Sequence, residues 1–229
     1  MIDSFYIGAY WGSRAKPLEQ VIDKVLQTLQ ELAEIDKQFL KWYEGGNSRK
    51  QSLKKEIVLN NETIEKLCLQ QVKKGELDEN GFAKMGFLFG LWSGHQDEES
   101  SSISFNVGGA FTSPHLSNSC VITIPFEGTA RERLLQAEKA KIIISVLVDI
   151  WTPDYSVLAS SFLNNELNVV NDIGWVTYYK SIRRTPKISN KVIYEKYNGG
   201  HLFYLANESS YDYSLVKELL PLKEIIGVR

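Results

Sequence analysis

Cys68, Cys120, His95, His115 and His201 are the side chains best suited to nucleophilic or metal chemistry, and their spacing argues against both. No two histidines lie at helix-face spacing, neither cysteine adjoins a histidine, and no CxxC occurs. A zinc site needs three or four converging ligands, which here would have to be gathered from distant loops, so no metal is expected. Cys68 falls on the apolar side of a helical stretch and Cys120 inside a strand-like run, positions that suit inert core thiols. A Cys/His/Asp site assembled from loops is the enzymatic alternative, in a small hydrolase or transferase. Neither GxxxxGK[ST], GxGxxG nor GxSxG is present, so the sequence announces no cofactor loop and no nucleophile elbow. Gly108-Gly109 interrupts a strand-like run and reads as a bulge or a close backbone approach.

Charged clusters offer binding rather than turnover. Asp97-Glu98-Glu99 is the densest group of carboxylates and stands in a Ser-rich polar turn. It serves either as a solvated turn or as a lure for a cationic partner. Basic clusters occur at Arg49, Lys50, Lys54 and Lys55, and again at Lys180, Arg183, Arg184, Lys187 and Lys191. The second follows Tyr178-Tyr179 and superficially resembles a strip for single-stranded nucleic acid, although lysines also protect strand edges.

The chain has 26 basic and 28 acidic side chains, a net charge of −2, unevenly spread. Residues 85–179 carry 4 basic and 10 acidic side chains, a net of −6, and residues 180–229 carry 9 and 5, a net of +4. No Lys or Arg occurs between Met85 and Ala130. Neutralising phosphates requires cations, so nucleic acid is not the expected partner, whereas a basic protein surface is. The expected partner-binding surface centres on the 92–99 turn, with Trp92, Asp97, Glu98 and Glu99, and with Asp154, Glu166 and Asp172 contributing. Gly94 and the flanking serines leave that turn free to adapt, and no cation stands nearby in sequence. The basic strip is the alternative location.

These residues must be positioned by a chain of 229 residues, 43% of them hydrophobic. A chain of this length buries roughly 70% of its unfolded surface, so its core needs neither metal nor disulfide. Residue 3 is acidic and no basic segment precedes an apolar run, so no signal peptide is expected. The longest strongly apolar run, 142–150, has nine residues, short of the about 20 that span a bilayer. A cytoplasmic address with reduced thiols and no membrane contact is expected.

Alternation predicts a strand at 4–10, and the run 85–92, too short and too aromatic for a helix, reads as a buried strand. Further strands are expected at 103–111, 118–125, 155–162, 174–181, 191–197 and 201–206, the last two joined by an Asn198-Gly199-Gly200 turn. Three- and four-residue steps from Leu18 to Ile35, extended by Phe39, Leu40 and Trp42, predict a long helix opening after Pro17. Further helices are expected at 61–74, capped by Asn61, at 130–150, and at 213–226, broken by Pro221. Strands outnumber helices and come in runs, which indicates an α+β fold. With no linker, 1–229 reads as a single compact domain, a mixed, mainly antiparallel sheet packed by two long helices and shorter ones. The high aromatic content, 11%, is compatible with a homodimer.

Taken in order, FYIGAYWGSR, IDKQFLKWYEGG, SRKQSLKK, GFLFGLWSG, NSCVITIP, DIWTPDYSVLAS and GWVTYY resemble the immunity protein 52 family of bacterial polymorphic toxin systems, essentially end to end. The resemblance implies a cytoplasmic, non-catalytic protein that binds and neutralises a toxin delivered by neighbouring cells. The toxins paired with this family look like restriction-endonuclease-fold nucleases. No active-site residue is carried over.

Overall fold

The computed structural model describes residues 3–111, 113, 117–168, 173–184, 186–205 and 213–224. The chain forms two compact units: a mid-chain unit, Tyr10–Ile122, and a terminal unit, Met1–Ala9 with Thr123–Arg229. Strand β1 (Phe5–Trp11) begins in the terminal unit and ends in the mid-chain unit.

The mid-chain unit contains α1 (Leu18–Ile35), β2 (Tyr43–Glu44), α2 (Arg49–Ser52), α3 (Asn61–Leu69), β3 (Phe87–Trp92), β4 (Ser102–Val107) and β5 (Asn118–Thr123), whose last residue crosses the boundary. Its strands run in the order β2-β3-β4-β5. The β2–β3 and β3–β4 pairs are antiparallel, with Tyr43 opposite Trp92 and Trp92 opposite Ser102. Helix α1 buries Val21, Ile22, Val25, Leu29 and Leu32, the stripe that its periodicity predicts.

It stops at Ile35 instead of running to Trp42. Asp36 is extended (φ −151°, ψ 140°), and its carboxylate accepts the Gln38 N–H at 2.9 Å, opening a 3-10 turn over Lys37–Phe39. A short Asp side chain that bonds its neighbouring backbone competes with helix continuation. Helix α3 is likewise shorter than expected, and Asn60, not Asn61, caps it by accepting the Thr63 N–H at 2.9 Å.

The terminal unit adds α4 (Gly128–Leu134), α5 (Ala137–Trp151), β6 (Tyr155–Ser160), α6 (Ser161–Leu167), β7 (Val176–Tyr179), β8 (Val192–Tyr197) and β9 (Gly200–Leu205). Its strand order is β1-β6-β7-β9-β8, with β6–β7, β7–β9 and β8–β9 antiparallel. The helix expected over 130–150 is two helices, broken where Gln136 is extended (ψ 134°), so that consecutive Leu134 and Leu135 are both buried. Strand β6 ends at Ser160, whose hydroxyl accepts the Leu163 N–H at 3.1 Å and caps α6. Asn198 and Gly199 take positive φ (42° and 73°) in the β8–β9 turn, as a two-residue hairpin of this hand requires. The last segment, Tyr213–Glu224, is a 3-10 helix with Pro221 inside it.

The class is α+β, and every pair with a defined register is antiparallel. Among the described residues, no helix is long and apolar enough to cross a membrane.

Candidate functional site

Strands β3, β4 and β5 alternate strictly. Phe87, Phe89, Leu91, Ile103, Phe105, Val107, Cys120 and Ile122 are buried on one face, where α3 packs against β3. The other face presents Leu88, Gly90, Trp92, Ser102, Ser104, Asn106, Ser119 and Val121, all exposed or half-buried. None of these eight is charged. Leu88 is 54% exposed, and Gly90 and Ser104 beside it are also exposed, so among the described residues this face carries no covering element. By contrast, every residue of β6 and β7 in the terminal unit is buried, as in a sheet covered on both faces.

A turn closes one end of the open face. Trp92 stands beside Tyr43 (ring centroids 6.1 Å apart, tilted 56°), and the chain then passes through Ser93 to the 3-10 turn Asp97–Glu99. The base of this turn is fastened from below. Ser93 and Ser101 pair through their backbones at 2.9 Å, and the Ser93 hydroxyl accepts the Ser101 N–H at 2.9 Å. Buried Gln38 donates its amide to the Glu99 carbonyl at 2.8 Å and reaches the Ser93 and Ser101 hydroxyls at 3.4 Å. The Ser100 hydroxyl donates to the carbonyls of His95 (2.8 Å) and Gln96 (2.7 Å). Arg49 donates to the Gly94 carbonyl at 3.4 Å. Glu98 and Glu99 are exposed above this base.

The turn is therefore not the adaptable, cation-free loop that its Gly and Ser content suggests. Its ends are pinned by a buried amide, and Arg49 comes from a distant part of the chain. A Cβ at Gly94 would collide with the Tyr43 ring, so that glycine serves close packing as well as its positive φ of 80°.

At the opposite end of the face lies a cleft of about 290 Å³ with apolar walls of Val72, Ala83, Met85, Leu88 and Phe111 and polar lining from Gln71, Glu76 and Asn106. Met85, 52% exposed, forms its open wall. Nearby, Gly108 and Gly109 make the close backbone approach expected of them. Buried Asn118 accepts the Gly109 N–H at 2.8 Å and donates to the Gly12 carbonyl at 2.8 Å.

The other expected site residues lie in the terminal unit. Asp154 precedes β6 and exposed Glu166 follows it in α6. The six residues of β6 and the start of α6 separate them along the chain. Asp172 and His115 lie outside the described residues. In the basic strip, Arg184 pairs with Glu224 at 2.7 Å and Lys191 with Glu218 at 3.1 Å. Gln38, Met85 and Leu88 were not among the sequence candidates, and Arg49 was singled out only as part of a basic cluster. Only the missing cations over 85–130 hinted at the face that they border.

The thiols are unsuited to attack. Burial pushes the Cys68 thiol up to about 12, with Glu65 adding to the effect, and pushes fully buried Cys120 well above its ordinary range. A protonated, buried thiol is not a nucleophile. Among the described residues, no three His, Cys, Asp or Glu side chains converge to hold a metal ion.

Comparison with known proteins gives a family and a fold. No curated protein matches the chain. Among solved structures, a Pseudomonas aeruginosa T6SS protein, PA0821, superposes with a TM-score of 0.54 at 10% identity, covering 97% of this chain and 73% of that one. At that identity the likeness is one of fold. The model of Immunity protein 52 matches residues 3–209, and the chain belongs to the immunity protein 52 family.

Proposed function

We propose that this protein acts in the cytoplasm by binding a cognate bacterial toxin, a nuclease of restriction-endonuclease-like fold, and neutralising it by direct contact, with the chain working as one immunity domain. The observation that carries the reading is the fastened acidic turn: Glu98 and Glu99 are held exposed on a base pinned by Gln38, beside Trp92. A nuclease surface that attracts phosphate also attracts carboxylates, and a preformed acidic projection competes for it without an ordering cost. Trp92 and Tyr43 supply the aromatic area that interface anchors use. Asp154, Glu166 and Asp172 are secondary contributors in this reading. The T6SS name of the Pseudomonas protein of like fold is in keeping with a toxin-delivery setting, and the protonated core thiols favour binding over turnover.

The test is affinity for the toxin domain encoded beside the gene, measured at low and moderate salt for the wild type and for Asp97, Glu98 and Glu99 all changed to Ser. Rim charges act mainly on association rate. The triple variant should bind more weakly, with a shallower salt dependence. Unchanged affinity and salt dependence would remove the turn from the interface and favour the basic strip.

A further inference from the structure

We infer that the uncovered face of β3–β4–β5 is the principal docking surface for the toxin, its partner patch being flat and uncharged, with hydrogen-bonding groups over the serines and Asn106 and one large apolar side chain seated in the Met85–Leu88–Phe111 cleft. This inference rests on the immunity reading above.

Three observations converge on that face. Solvent-facing sides of antiparallel sheets ordinarily carry polar and charged residues, yet Leu88, Gly90, Trp92, Ser102, Ser104, Asn106, Ser119 and Val121 include no charge. Depletion of charge around aromatic residues is the compositional signal of an interface core. The side chains are also small: a glycine and three serines leave a flat surface that a partner can approach closely without displacing long side chains. The face lies between Trp92 with its acidic turn at one end and the cleft at the other, so the three features form one continuous surface.

Its occupant follows from shape and charge. At about 290 Å³, the cleft lies at the small end of the roughly 300–1,000 Å³ range of ligand pockets. Val72, Ala83, Met85, Leu88 and Phe111 give it apolar walls for one large partner side chain, while Gln71, Glu76 and Asn106 form its polar lining. With no cation on the face, an acidic partner patch finds nothing to pair with, and desolvating a lone charge there is costly. Basic residues of the partner belong over Glu98 and Glu99 and beside Glu76 at the cleft. Three strands of about six residues span roughly 20 Å by 15 Å in plane. That is the size of a core, within the about 800 Å² that each partner contributes to a standard interface, and the turn and the cleft rim supply the surround.

The experiment places a charge in the middle of the face. Leu88→Lys and Ser104→Arg both change outward positions, so the fold should keep its thermal midpoint. Each should weaken binding to a catalytically inactivated form of the toxin domain encoded beside the gene by roughly 100-fold or more, as expected for an unpaired charge in a desolvated contact. Ile142→Lys, at a 47% exposed position of α5 in the terminal unit, should leave binding unchanged. Should Leu88→Lys shift the midpoint, Ser104→Arg decides alone. Loss of binding in the face variants with the α5 variant intact supports the inference. Wild-type binding that survives both face substitutions overturns it while leaving the immunity reading standing. A wild-type protein that does not bind the toxin overturns both.

Discussion

His201 shows how a single side chain acquires a property that its type alone does not confer. The register of β8 and β9 sets Lys196 opposite it, with the ammonium 3.1 Å from Nε2 and 3.3 Å from Nδ1. The Tyr194 hydroxyl lies 3.0 Å from Nδ1, and the two rings stack at 5.9 Å. Burial, followed by the Lys196 charge, holds the imidazole below its ordinary range. A histidine with a depressed folded-state pKa binds fewer protons folded than unfolded. Its contribution to stability is therefore complete above the ordinary imidazole range and declines as pH falls through that range toward the folded pKa. Proton NMR should find His201 titrating below an unfolded histidine, and Lys196→Gln should raise its pKa and flatten that part of the stability–pH profile. Titration at the unfolded value in the wild type would refute this account. Such a pairing was partly readable, since the Asn198-Gly199 hairpin turn forces 196 and 201 together. The role of Gln38 was not. It looked like one more residue of a helical stretch, and its partners lie 55 to 63 positions away, where no local pattern points.

At the scale of elements, alternation proved the stronger signal. Strands β1, β3, β5, β8 and β9 were legible, β3 and β5 with one buried face that imposes period two, and the stripe of α1 was legible at period 3.6. Endings were not legible where one polar side chain decides them. Asp36 stops α1, Asn60 starts α3, and Ser160 turns the end of β6 into the cap of α6. The open face of β3–β4–β5 was hidden by a related ambiguity, because a run without Lys or Arg reads equally as buried strand or as uncharged surface. Two backbone positions give tests of opposite sign. Thr152, at the end of α5, is left-handed (φ 46°, ψ 54°), a conformation costing a non-glycine residue about 1–2 kcal/mol, partly offset by its hydroxyl bond to the Trp151 carbonyl at 2.8 Å. Thr152→Gly should therefore stabilise by about 1 kcal/mol in denaturant unfolding. Gly86 also has positive φ (75°), but a Cβ there would stand 2.5 Å from the Val107 carbonyl oxygen and 2.6 Å from the Gly109 nitrogen, both rigid backbone. Gly86→Ala should cost more than about 2 kcal/mol. A neutral result at either site would show the backbone relaxing where it is drawn as fixed.

At the scale of the molecule, the division into two units escapes the sequence because no linker marks it: the boundaries fall inside β1 and β5. The terminal unit is consequently discontinuous. Its core closes only when the first nine residues meet a segment that begins at Thr123. Phe5 is 1% exposed and lies 5.3 Å from the Trp175 ring, with the Arg131 guanidinium 4.7 Å above it. Arg131 in turn donates to the carbonyls of Pro125 (2.8 Å) and Asp3 (3.1 Å), while the Phe5 carbonyl accepts the Ile124 N–H at 2.9 Å. At the far end of β6, the Ser4 carbonyl accepts the Ser161 N–H at 3.2 Å, and the Asp3 carboxylate accepts the Phe162 N–H at 3.1 Å. Residues 3–8 thus act as a core strand of a unit whose other residues are more than a hundred positions away. Bringing such distant segments together has an entropy cost that grows only logarithmically with the intervening length, so a few well-buried side chains can offset it. Phe5→Ala should destabilise by about 3–5 kcal/mol, the range for emptying a core aromatic site. Deleting residues 1–9 should remove the near-ultraviolet signal and buried fluorescence of Trp175, which a Trp175→Phe reference isolates from the other four tryptophans. A truncated chain that kept Trp175 in its native environment would show that the strand Thr123–Arg229 packs against need not be β1.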